Sequence, residues 1–273
     1  MREIGIDEIK KYSFEVLCRV RDLCEANGIR YSLTGGTLIG AVRHKGFIPW
    51  DDDIDIMMPR PDYDRFVELV KAEDRGFDLL CFELRGSDYR YSHAKACHRG
   101  TRLVENGMQE DDLPLGVFVD IFPIDGAGSS KVDTKLRGMT FTFIHGLKIA
   151  RGWKKYRRSK LRGWYYEPFR FVCYLISHLF TRRFIDRRMQ AFLRRKKYEK
   201  CAYVGRLVGD YGSREIMPRE VFDGYIDVTF EGETFKAIAG YDAFLTRLYG
   251  GYMTLPPEEK RVTHHEFTAY ELD

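Results

Sequence analysis

"GFIPWDDDIDIMMP", residues 46–59, packs four aspartates, Asp51, Asp52, Asp53 and Asp55, into five positions and interleaves them with apolar residues. Carboxylates this close repel one another, so they either sit on a solvated turn or are held by a cation. From Asp53 onward the pattern alternates: Asp53 and Asp55 share one face, Ile54 and Ile56 the other. Period two predicts a strand with one polar face. Its two carboxylates then lie about 6.5–7 Å apart along the strand. Pro59 and Pro61 end it, and residues 62–72 follow as a helix. A calcium loop fits the opening D-x-D-x-D but fails afterwards, with Ile56 where a glycine is required and Asp62 where a bidentate glutamate belongs.

Two neighbouring features argue against a merely solvated turn. Upstream, "IRYSLT" (29–34) reads as a short strand broken by Gly35-Gly36, and residues 37–44 read as a short helix starting at those glycines. Downstream, Asp120 is isolated in "VFVDIF", a strand with apolar neighbours on both sides. A lone carboxylate in a buried strand is costly unless it is paired or cation-bound. Asp53, Asp55 and Asp120 on adjacent strands therefore predict a site of hard oxygen ligands suited to Mg²⁺, with Mn²⁺ as the alternative ion. Such a site beside a glycine turn at a helix start handles phosphate: the cation neutralises phosphate oxygens, and backbone N–H groups receive the remaining charge.

The rest of the chain fits one α/β (α+β) core around a mixed sheet. Residues 7–26 carry an apolar helical stripe stopped by Asn27-Gly28, and 77–83, 92–98 and 116–124 read as further strands. Residues 133–200 read as a helical insertion. Residues 225–238 read as a hairpin centred on Glu231-Gly232-Glu233, 240–253 as a helix, and the tail as a proline-marked loop. The expected organisation is a catalytic core over 1–130, a basic helical insertion over 131–200, and a return to the catalytic unit over 201–273.

Charge is divided unevenly. Residues 151–200 hold 17 Lys or Arg against three acids, Glu167, Asp186 and Glu199, a local +14 within an overall +4. The remainder thus carries −10. A chain divided this way is expected to touch something anionic with its basic part. Interleaved aromatics favour peripheral attachment to an anionic membrane over nucleic acid, because no reading motif accompanies the charge. A solvated helical face is the plain alternative. The apolar run 169–180 is shorter than the roughly 20 residues that span a bilayer. Six scattered cysteines with no C-x-x-C, and a polar first segment, lead to the expectation of a reducing cytoplasm, with contact at the inner membrane face.

"LTGGTLIGAVRHKGFIPWDDDIDIMMP" (33–59) closely resembles the signature of the LicD family, phosphotransferases related to the fukutin proteins and built on the nucleotidyltransferase fold of DNA polymerase beta. The likeness continues in "VFVDIFPID" (117–125) and "YGGYMTLPPEEKRVTHH" (249–265). It departs at Gly251, where an acid is expected. The resemblance implies transfer of a phosphorylated alcohol from a CDP-alcohol, CDP-choline first, to a hydroxyl of a surface glycan or teichoic acid precursor, with CMP leaving. Asp53, Asp55 and Asp120 are then the catalytic, metal-holding set. Gly35, Gly36 and Thr37 are expected near the donor phosphates. Arg43 and Lys45, with Lys95 in "SHAKACH", are phosphate-contact candidates, Arg43 foremost because a guanidinium binds phosphate bidentately. Trp50 beside the turn and Lys260, Arg261 and His264 in the tail complete the candidate substrate-binding set. Two rival readings remain open at this level. One is a nucleotidyltransferase that moves NMP from an NTP; the other is a non-catalytic binder of an anionic polymer.

Overall fold

The computed structural model describes residues 1–89, 91–105, 114–158, 163–207, 211–261 and 267–272. Its first long element is helix α1 (Ile6–Ala26), preceded by the short strand β1 (Arg2–Ile4). The stripe Ile9, Val16, Val20 and Leu23 turns one side of α1 into the core. β2 (Ser32–Leu33) then feeds α2 (Gly35–Arg43), and β3 (Asp55–Pro59) feeds α3 (Arg60–Ala72), which carries proline in its first turn, where a missing N–H costs nothing. β4 (Asp78–Leu80) is shorter than the strand expected over 77–83, because the chain coils at Cys81 into a single turn, α4 (Phe82–Arg85). β5 (Ala94–Cys97), β6 (Thr101–Glu105) and the long β7 (Phe118–Gly128) follow.

The central sheet runs β2-β3-β7-β5-β4. It is mixed: β3 and β7 are parallel, and the other neighbouring pairs are antiparallel. β7 is long enough to serve two partnerships. Its first half lies between β3 and β5, and its second half pairs with β8 (Tyr203–Gly205), which pairs in turn with β9 (Ile216–Pro218). Ile54, Ile56, Met57, Met58, Val119 and Ile121 are all buried in one apolar core, which also takes in Cys201, Val204, Met217 and Phe222 from the C-terminal part. The residues after 200 thus close the same core that the aspartate strand opens.

The segment expected to be helical resolves into α5 (Lys131–Arg151), α6 (Glu167–Ser177) and α7 (Arg182–Arg194). Ser130 caps α5 by accepting from the Asp133 N–H, and Thr181 caps α7 by accepting from Phe184. α7 is fastened to the core by Arg194, whose guanidinium reaches Asp64 at 2.6 Å and Glu83 at 2.5 Å. The hairpin is present as β10 (Tyr225–Phe230) and β11 (Glu233–Ile238). Glu231 and Gly232, at φ 51° and 79°, form its two-residue turn, the positive-φ pair that matches strand twist. Helix α8 (Tyr241–Tyr249) ends at Gly250 with φ 69°.

Several strands had no clear sequence signal. The tail read as a loop ends in β12 (Phe267–Glu271), which sits between β1 and β6 and so joins the two ends of the described chain. β1, β6, β8 and β9 are equally short or charged, and pairing rather than pattern makes them strands.

Beneath the sheet lies a buried ion pair. Arg60 donates to Asp125 through Nε at 2.7 Å and Nη2 at 2.9 Å, with both residues buried. It ties the start of α3 to the point where β7 changes partner. Removing one side of such a pair strands a buried charge. Arg60→Leu is expected to cost about 3–5 kcal/mol in urea unfolding. Arg60→Leu with Asp125→Leu should recover much of that loss, and equal destabilisation of the single and double variants would refute the assignment.

Candidate active site

The parallel register sets Asp55 of β3 against Asp120 of β7, and the antiparallel register sets Lys95 of β5 against Asp120. In-register residues point to the same sheet face and their strands lie about 4.8 Å apart. Asp55, Asp120 and Lys95 therefore form a row across three strands. β3 begins at Asp55, so Asp53 lies in the extended lead-in rather than inside the strand, but it remains close enough to act electrostatically on Asp55. The backbone holds the row in place: Asp120 N–H donates to the Ile54 carbonyl at 2.8 Å, and Asp55 N–H donates to Thr37 Oγ1 at 2.8 Å.

The two central carboxylates are biased in opposite directions. Burial pushes Asp55 well above the usual carboxylate range, with Asp53, Asp120 and Asp51 adding to the effect and Arg206 opposing it. Burial would also raise Asp120, but Lys95 and His93 outweigh it and hold that carboxyl far below the usual range. Lys95 Nζ donates to Asp120 Oδ1 at 2.7 Å. His93 Nε2 stands 3.2 Å from the same oxygen, without hydrogen-bond alignment. The Lys95 ammonium also sits 3.3 Å from the centre of the Phe118 ring and 4.6 Å from that of Tyr91, so aromatic faces lie against its charge. Arg206, just beyond β8, is buried, pairs with Glu215 and lies over Phe122 at 4.2 Å.

The glycine turn is shaped by the acids. Gly35 starts α2 at φ 58°, and a Cβ there would come within 2.7 Å of Asp55 Oδ2. A Cβ on Gly36 would overlap Asp51 Oδ2. Thr34, the N-cap, is fully buried and its hydroxyl has no hydrogen-bond partner. The first turn of α2 and the carboxylates thus face one another at backbone distance, an arrangement that would place N–H groups beside a phosphate bound through a cation at the acids. Asp51, Asp52 and Asp53 themselves bring carboxylate oxygens within 4.8 Å of one another, and this is a group with metal-holding spacing among the described residues. An all-carboxylate donor set of this density, with Asp55 disfavoured as a lone charge, fits a hard divalent cation.

The remaining predicted residues divide. Arg43 is turned to the C-terminal segment, donating from Nη1 to the carbonyls of Tyr252 at 2.6 Å and Thr254 at 3.4 Å. Arg261 lies over Trp50 at 5.7 Å, so this second cation also joins the tail to the acidic loop. Lys45 is exposed at φ 64°, and its carbonyl accepts from Glu231 N–H of the hairpin turn. Lys260 falls in a short turn, Glu258–Lys260; its side chain and His264 lie outside the described residues. Sequence reasoning missed His93 and Arg206. His93 shares the alternation of Lys95 two residues on, a signal that was present. Arg206 reaches Asp55 only because β8 pairs with β7, and nothing local marks it.

A mixed nucleotidyltransferase-like sheet carrying this acidic row defines a phosphoryl-transferring class of enzyme. Comparison with known proteins gives the family. Residues 28–170 match the LicD/FKTN/FKRP, nucleotidyltransferase domain family. Over 286 aligned positions, covering 100% of both chains, the protein is 34% identical to the lipopolysaccharide cholinephosphotransferase LicD of Haemophilus influenzae. It is 44% identical over 110 residues, 36% of this chain and 22% of the other, to the human ribitol 5-phosphate transferase FKRP. The chain belongs to the LicD/FKTN/FKRP family and is a LicD-type phosphotransferase.

Two outcomes follow for Asp55. Its folded pKa is raised, so ionising it in the folded, metal-free protein costs stability at any pH above the ordinary carboxylate value, and the cost vanishes below that value. Asp55→Asn should therefore raise the melting temperature of the metal-free protein by a few degrees at neutral pH, leave it unchanged in acid, and abolish transfer. Divalent-ion binding must expel the same proton, so affinity should rise with pH and calorimetry in buffers of different ionisation enthalpy should show proton release. Binding that is indifferent to pH would contradict this. Gly35→Ala should cost about 1–2 kcal/mol from positive φ alone, and more from contact with Asp55, read by thermal melting.

Proposed function

We propose that the protein moves a phosphorylated alcohol from a CDP-alcohol to a hydroxyl of a glycan, releasing CMP, with CDP-choline as the leading donor. The observation that carries this reading is the Asp55–Asp120–Lys95 row facing the Gly35-Gly36 turn. The full-length likeness to a cholinephosphotransferase supports choline as the alcohol, and the partial likeness to a ribitol 5-phosphate transferase makes CDP-ribitol the next donor to test.

Asp53, Asp55 and Asp120 would hold Mg²⁺, with Asp51 and Asp52 adjoining. When bound, the ion supplies charge neutralisation at the donor phosphates and polarises the phosphorus under attack. The chain's own groups do the rest. The N-terminal turn of α2 binds phosphate oxygens through backbone N–H groups. Asp120, kept ionised by Lys95 and His93, takes the acceptor hydroxyl's proton as the new O–P bond forms. The bond to the bridging oxygen breaks and its electron pair leaves with CMP. Lys95 and Arg206 bracket the acids with positive charge, which balances the site as anionic donor enters. Arg43 holds the C-terminal segment to the end of α2, and Arg261 holds it against Trp50 beside the acidic loop.

The test is incubation with CDP-choline, CDP-ribitol, CDP-glycerol or an NTP, with Mg²⁺ and glycan acceptor, and separate measurement of CMP and pyrophosphate. CMP release that depends on acceptor and disappears in Asp53→Asn is expected. Pyrophosphate release from an NTP, with every CDP-alcohol untouched, would move the assignment to nucleotidyl transfer. Lys95→Met is expected to lower kcat by about 10²-fold or more and to shift the acidic limb of the kcat/KM profile upward, since Asp120 loses the cation that holds its pKa down.

A further inference from the structure

Helix α6 buries its small side chains most deeply: Cys173 is 1% exposed and Ser177 is fully buried, while Tyr174 and Ile176 are half-buried against the same small core. The side chains it turns outward are large and apolar. Val172 and Leu175 are exposed on this side, and Leu179, in the turn two residues past the helix end, continues the spacing; Leu175 is 52% and Leu179 77% exposed. Phe171 is exposed on the same side, and the turn that leads into the helix, Trp164–Tyr166, leaves Trp164 84% exposed. Burial normally sorts residues in the opposite sense, and a contiguous outward apolar face of this kind marks a surface that is covered in use.

The surroundings of that face identify the cover. Before the helix, Lys154, Lys155, Arg157 and Arg158 are exposed; after it, Arg182, Arg183, Arg187 and Arg188 are exposed. Negative charge is nearly absent alongside. Glu167 is engaged by Tyr156 and Arg170, and Asp186 is buried beside Lys148. No helix among the described residues is long and apolar enough to cross a membrane. An eleven-residue helix with an outward apolar face, led in by Trp and Tyr and flanked by lysines and arginines, has the chemistry of a helix lying in a bilayer interface, with aromatics at the headgroup level and cations against anionic lipid. An anionic glycan would satisfy the arginines but leave Leu175 and Leu179 in water.

We infer that the outward face of α6, with Trp164 and the flanking arginines, is a docking surface for an anionic lipid bilayer, into which Val172, Leu175 and Leu179 insert. The inference goes beyond the transfer reaction and stands on this surface alone. Attachment of this kind keeps the enzyme at a two-dimensional surface, where an acceptor carried on lipid would be concentrated.

The experiment uses the full chain and vesicles of phosphatidylcholine, alone or mixed equally with phosphatidylglycerol, at low salt and without donor or acceptor. A failed transfer assay thus leaves the binding result untouched. The wild-type protein is expected to co-sediment with the anionic vesicles, to be released by high salt, and to show a blue-shifted tryptophan emission that Trp164→Phe removes. Leu175→Asp with Leu179→Asp should lower partitioning by about tenfold or more with an unchanged thermal melt, since both positions are exposed. Arg183→Glu with Arg187→Glu should abolish the preference for anionic lipid. Equal partitioning of the wild type and the leucine variant would overturn the inference. So would a wild-type dimer in sedimentation velocity that the leucine variant dissolves, because the face would then belong to a second copy of the chain.

Discussion

Two carboxylates from parallel neighbouring strands, Asp55 and Asp120, face the same side of a mostly apolar sheet, and the rest of the site answers their mutual repulsion. At strand spacing in a low-dielectric setting, two full negative charges do not coexist without help. The protein resolves this unequally. Lys95 and His93 are given to Asp120, which stays ionised; Asp55 is left with Arg206 at longer range and two further acids nearby, so its proton is hard to remove. This imbalance is one that a cation would relieve: under the proposed reading, a divalent ion would meet one carboxylate already charged and favour ionisation of the other.

The same constraint reaches into the backbone. Gly35 and Gly36 serve phosphate binding in the sequence reading, yet the structure gives them an earlier duty: any side chain at either position would collide with an aspartate. The α2 turn and the acids therefore approach at backbone distance, the geometry that the proposed donor-phosphate contact would need. The outer frame maintains that approach from two sides. The β10–β11 turn clasps the loop after α2, with Glu231 accepting from Phe47 N–H, and Arg43 and Arg261 draw the C-terminal segment across it. Arg43, a phosphate-contact candidate in a linear reading, is turned here to the carbonyls of Tyr252 and Thr254.

The charge asymmetry of the chain has a spatial counterpart. Acids gather at the end of the sheet where β3 begins, and cations gather around α6 and α7. α7 is bonded to α3 and α4 through Arg194, so the basic helices are seated on the catalytic core and share its rigidity. A surface contact made by those helices would therefore hold the core as well.

The sequence alone determined the elements with strong periodicity and strong chemistry. The alternation of Asp53, Ile54, Asp55 and Ile56 predicted a strand, which the structure begins at Asp55; the glycine pair required a turn into a helix, and Asp120 between apolar residues required a partner. These are local consequences of side-chain spacing and of the cost of burying charge. Tertiary structure alone decided what pairs with what. Short strands such as β8 and β12 have no pattern of their own and exist because neighbouring strands offer hydrogen bonds, the long β7 for β8 and both β1 and β6 for β12. Arg206 becomes a site residue through that pairing, and Arg43 becomes a brace because the chain returns to it more than 200 residues later. Which acid keeps its proton was equally beyond the sequence, since it depends on which cations the fold delivers to Asp120 and withholds from Asp55.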